Sequence, residues 1–110
     1  MEKSVSQSLP EAWESFPGAE IITKGLSDLN SGTESEEWFL LQIGVNRLNN
    51  LGFSIPALNR NGQYPEDQLY NLLSCKHGNE AHSKYNSLIR RLISFERTAE
   101  RWCSRNRLPH

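Results

Sequence analysis

The stretch from Asn79 to Arg105, NEAHSKYNSLIRRLISFERTAERWCSR, decides the fold class. Ala81, Tyr85, Leu88, Leu92, Phe95, Ala99 and Trp102 recur at intervals of three and four residues, and Ile89 and Ile93 widen the stripe they form. A half-buried strand needs apolar residues at every second position, and no such alternation runs through this segment. One long helix over about 79–105 follows from the spacing.

The upstream segments read the same way. Pro65 suits the first turn of a helix, Glu66 and Asp67 sit where the helix dipole favours carboxylates, and Leu69, Leu72 and Leu73 supply a buried face. Lys76-His77-Gly78 closes that helix, so it spans about 65–77. Further back, Thr33-Glu-Ser-Glu36 reads as a capping box for a helix over about 34–51, with Gly52 just past its end. In that helix Trp38, Phe39, Leu40, Leu41, Ile43 and Val45 point in every direction, so it lies centrally in its bundle or shares a face with a partner. A buried strand over 38–45 is the competing reading of so short an apolar run. A first helix over about 18–30 places Ile22, Leu26 and Leu29 on one face, broadened by Ile21 and Gly25, with Gly32 as its stop. Ala12, Trp13 and Phe16, between Pro10 and Pro17-Gly18, form a short helical turn or a hook that packs an indole onto the rest. Residues 53–64 make the one long connection; Phe53, Ile55 and Leu58 tuck it onto the core, and Asn61-Gly62 is a turn dipeptide.

Composition agrees. The chain holds 14 Leu and 6 Ile against 2 Val and 3 Thr, a bias that suits helices rather than pleated surfaces. The expected fold is all-α: a compact bundle of four main helices with a short N-terminal helical turn. Residues 1–9, polar and rich in serine, are expected to be a flexible tail, and 10–110 a single helical domain. Leu, Ile, Val and Phe number 26 of 110 residues and the net charge is −1, so wholesale disorder is excluded. The longest apolar run, Trp38–Val45, falls far short of the roughly 18 residues that a membrane helix needs. With no secretory pattern at the N-terminus and too few cysteines for a disulfide framework, a cytoplasmic location away from membranes is expected.

Chemistry-bearing motifs are sparse. Cys75-x-His77, followed by His82 and with Cys103 further on, is the one Cys/His group, and its spacing is not that of a zinc site. Cys75 reads instead as a small packed residue, His77 as a complement to a helix C-terminus and His82 as exposed. No nucleophile elbow, phosphate loop, dinucleotide-binding glycine pattern or His-Glu-x-x-His occurs, so no catalytic residue, cofactor or metal is expected. Asn46, Asn49 and Asn50 lie densely near the end of the second helix, where amides bond loop backbone or form a recognition surface.

Charge placement says more than net charge. Residues 1–37 carry 2 basic and 8 acidic side chains, a net of −6, whereas residues 84–110 carry 7 basic and 2 acidic, a net of +5. Arg90, Arg97, Arg101 and Arg105 fall in one narrow sector of the last helix, opposite its apolar stripe, as a solvated face or as a contact for an acidic partner. Trp38 is the fifth candidate contact if the all-round apolar helix meets a partner; if that helix is central, Trp38 and Leu41 are buried. The expectation is a small helical interaction or regulatory module without catalytic activity, acting as a homodimer or on a protein partner. The alternative is nucleic-acid binding through the arginine stripe.

Overall fold

Trp38, Phe39, Leu40 and Leu41 occupy four successive positions of a helix, and all four side chains are buried. A helix that is apolar all round has to be covered all round, and the architecture is arranged accordingly. The computed structural model of the protein describes residues 11–58 and 63–106. Its helices are α1 (Ala19–Ser31), α2 (Glu36–Ile43), α3 (Val45–Asn50), α4 (Pro65–His77) and α5 (Ala81–Asn106), with 3-10 turns at Glu11–Ser15 and Gly78–Glu80. No strand occurs among the described residues, so the competing strand reading of 38–45 is set aside. α2 lies in the middle, packed against α1, α4 and α5. The fold is the expected all-α bundle.

α4 begins and ends where its sequence signals place it, at Pro65 and His77. α1 and α5 are displaced by a residue or two from their expected limits. The expected helix over 34–51 differs more. It starts two residues later, because the end of α1 takes the residue that was read as its cap. Gly32 adopts a left-handed conformation (φ 77°), and the amides of Gly32 and Thr33 donate to the carbonyls of Leu29 and Asp28 at 3.3 and 2.8 Å. That double bond pattern is a Schellman ending, and it places Thr33 in the exit from α1. Ser35 becomes the N-cap of α2, its Oγ accepting from the Trp38 amide at 3.2 Å, and also donates to the Asp28 carboxylate. Glu36, the expected capping-box partner, instead bonds Lys76 of α4 at 2.8 Å.

The same expected helix is interrupted at Gly44, which separates α2 from α3. The Glu96 carboxylate of α5 lies beside this glycine: a Cβ at position 44 would stand 2.5 Å from its Oε2, so a side chain here would require Glu96 to move.

Two side-chain amides, buried Gln42 and exposed Asn49, fix the connection that follows α3. Asn49 donates from Nδ2 to the Ile55 carbonyl at 2.9 Å and accepts at Oδ1 from the Ile55 amide at 2.8 Å. Gln42 donates to the Pro56 carbonyl at 2.9 Å and accepts from the Leu58 amide at 2.7 Å. These bonds satisfy backbone groups that a strand ladder would otherwise serve. Ile55 is buried and Phe53 partly so, as expected, but Leu58 is 44% exposed because its backbone, not its side chain, is what Gln42 holds. Trp13 packs edge-on to both Phe53 and Phe95, at 5.3 and 5.8 Å between ring centroids, which gives the N-terminal hook its anchor. The expected flexible tail at 1–9 and the Asn61-Gly62 turn lie outside the described residues.

Candidate partner-binding surface

α5 is long enough to serve two purposes. Its inward face contributes Ala81, Leu92, Phe95 and Ala99 to the core. Its N-terminal half packs against α4 across the short Gly78–Glu80 turn, and Phe95 carries the aromatic cluster of Trp13, Phe16 and Phe53. With that side buried, the opposite side faces out along the whole helix.

Arg90, Arg97, Arg101 and Arg105 are all exposed on that outward side, as the wheel predicts. Arg97, Arg101 and Arg105 follow at one-turn intervals, and Arg90 stands two turns before Arg97. At 1.5 Å per residue the row spans about 22 Å. None of the ion pairs among the described residues involves these four side chains. Lys84 and Arg91 are exposed beside the row, Arg91 paired with Glu20 of α1. The other exposed side chains described on α5 are Ser83, Ser87, Ser94 and Ser104, with His82 at its start. The outward face of α5 is therefore built from cations, hydroxyls and one imidazole. The serines lay open on the same helical wheel as the arginines and complete the surface that the arginines alone suggested.

Both carboxylates of α5 are engaged by Arg47, Glu96 buried and Glu100 partly exposed within reach of the Arg97 charge. Glu96 and Glu100 face α3, where Arg47 holds them together. Arg47 grips Glu100 with two parallel bonds, Nε to Oε2 at 2.9 Å and Nη2 to Oε1 at 2.7 Å, and extends Nη1 to Glu96 at 3.1 Å. The two acids respond in opposite senses. Burial, at 2% exposure, pushes the Glu96 carboxyl above its usual range; the Glu100 charge adds to this and Arg47 opposes it. The hydrogen bonds from Arg47 hold the Glu100 carboxyl below its usual range, against some desolvation and with help from the charges of Arg47 and Arg97. Sequence reading missed this clamp, because it joins residues some fifty positions apart.

Trp38 is 4% exposed, and its ring packs edge-on against Phe39 at 4.9 Å. It belongs to the core alongside fully buried Leu41, and as placed offers a partner no surface. The Cys/His group does not converge: among the described residues no set of three or more His, Cys, Asp or Glu side chains is placed to hold a metal ion. Cys75 is exposed on α4 rather than packed, and Cys103 is half-buried on α5. His77 lies 3.9 Å from Glu36, and His82 is exposed and bonded to Asn86 at 3.1 Å. Tyr70 of α4 meets Tyr85 of α5 with tilted rings, 5.5 Å between centroids. The dense asparagines Asn46, Asn49 and Asn50 are all exposed, and Asn49 bonds loop backbone. No helix among the described residues is long and apolar enough to cross a membrane. The sequence matches no family model, no curated protein and no solved structure.

Proposed function

We propose that this chain is a small binding module without catalytic activity, and that its working surface is the outward face of α5, which takes a polyanion. One observation carries the reading: the exposed side chains described on α5 are arginine, lysine, serine and histidine, while the helix's own carboxylates are paired with Arg47. Cations that already have partners gain little from a ligand, but the row Arg90, Arg97, Arg101 and Arg105 has no ion pair within the described structure to give up.

Retention on a sulfated-polysaccharide column tests this. Arg97→Ala combined with Arg101→Ala should elute at clearly lower salt than the parent. Thr23→Glu with Asn71→Glu changes net charge equally at exposed positions on α1 and α4 and should elute close to the parent. Equal losses from the two pairs would mean that net charge, and not this face, governs retention.

A protein partner or a second copy is the other reading, favoured by the uneven charge along the chain. Glu14, Glu20 and Glu34 are exposed in the acidic first third, and an acidic surface of that kind is complementary to the row on α5. Support from α2 is gone, because its apolar circumference is used within the chain.

A further inference from the structure

Resting on the reading of α5 as a polyanion-binding face, we infer that the polyanion is the phosphate backbone of double-stranded nucleic acid, bound without regard to sequence. Protein interfaces draw their energy from a desolvated centre rich in aromatic and aliphatic anchors, surrounded by a polar rim. The outward face of α5 is all rim. The large apolar side chains exposed among the described residues, Leu58, Tyr64 and Tyr70, lie on the loop and on α4. Interfaces with nucleic acid, by contrast, are polar and strongly positive, and arginine, lysine and serine are the side chains that donate to phosphate oxygens.

The kind of nucleic acid follows from what the face lacks. Single strands are held by aromatic rings on which bases stack, and the aromatic side chains of α5, Tyr85, Phe95 and Trp102, are half-buried or buried. Base reading relies on Asn or Gln for adenine as much as on Arg for guanine, and no Asn or Gln is among the exposed side chains described on α5. What remains is a straight row of about 22 Å. Laid along a duplex, which carries one phosphate charge per about 1.7 Å of axis over its two strands, it spans a length that holds about thirteen. Those on the facing side suffice for four arginines. The net charge of −1 limits affinity but not the contact, since Glu96 is buried and Glu100 is already paired with Arg47.

Fluorescence anisotropy of the full chain with a labelled DNA duplex of about two helical turns tests the inference. Four phosphate contacts predict a slope of log affinity against log salt of about −3.6, which is an affinity loss of about 150-fold between about 50 and 200 mM salt. Affinity at physiological salt should be micromolar or weaker, and an unlabelled duplex of shuffled sequence should compete equally. Arg97→Ala with Arg101→Ala should flatten the slope by about 1.8, whereas Arg97→Lys with Arg101→Lys, and Thr23→Glu with Asn71→Glu, should leave it near the parent value. Overlaid melting curves establish that each variant is folded. If the parent ignores duplex at low salt, prefers single strands, or keeps its slope in the alanine pair, the inference is overturned. A duplex that is ignored while the alanine pair still loses retention on the sulfated column removes the nucleic acid and leaves the polyanion-binding reading intact; no effect of the alanine pair in either assay removes both.

Discussion

Glu96 is a buried acid that tertiary contact, not local sequence, puts in place. Its carboxylate sits against the backbone at Gly44, nearly out of reach of water, with Arg47 as its charged partner. Nothing in the local sequence distinguishes it from Glu100, one turn later, so its burial is not legible without the tertiary contact. Because burial raises the Glu96 carboxyl, the folded state holds that proton more tightly than the unfolded chain does. Its favourable contribution is complete below the ordinary glutamate range and is lost as pH rises through the raised value. Glu100 behaves oppositely: its lowered carboxyl contributes stability above the ordinary range and loses it as pH falls through the lowered value. Glu96→Gln should therefore melt above the parent near neutrality, with the difference closing on acidification, since Arg47 still has Glu100 as counter-charge. Glu100→Gln should melt below the parent at neutrality and converge with it in acid. Thermal melts of the three proteins over a pH series check this; parallel curves would mean that burial leaves Glu96 untouched.

At the level of elements, legibility tracked how local each signal was. Pro65 and Gly78 bound α4 through backbone rules that involve no other part of the chain, and both limits were read directly. The apolar stripe of α5 and the arginine row opposite it followed from helical geometry alone. The start of α2 was misplaced because two helix ends compete for the same residues: Thr33 carries the side chain of a good cap, but its amide already closes α1. A pair of substitutions separates these roles. Ser35→Ala removes the acceptor of the Trp38 amide and a donor to Asp28, and should destabilise the fold by about 0.5–2 kcal/mol. Thr33→Ala removes a hydroxyl whose side-chain contact is with Ser31 at the surface, and should cost less. If denaturant melts rank the two the other way, the capping box is the true start of α2. Leu41→Ala, in the centre of that helix, should cost about 2–5 kcal/mol, as expected for a fully buried leucine.

For the whole molecule, the question is whether a second copy has anything to hold. The apolar surface of α2 was the strongest reason in the sequence to expect a dimer, and α1, α4 and α5 cover it. Leu58, Tyr64 and Tyr70 are exposed on a loop and on α4, and stable interfaces need about 1,000 Å² of well-packed contact. The remaining attraction between copies is between the acidic first third and the row on α5, and salt weakens contacts of that kind over a Debye length of about 8 Å at physiological ionic strength. The two patches differ, so such a contact is head-to-tail and extends into open chains instead of closing as a symmetric pair. Light scattering should accordingly give a monomer at physiological salt across a wide range of concentration. At low salt, apparent mass should grow gradually with concentration, and Arg97→Glu should suppress that growth because it reverses one charge in the row. Duplex DNA should suppress it too, since both ligands compete for the same arginines. A dimer of fixed mass that survives high salt would contradict this account, and would place an apolar interface on a face that the packing of α2 leaves without one.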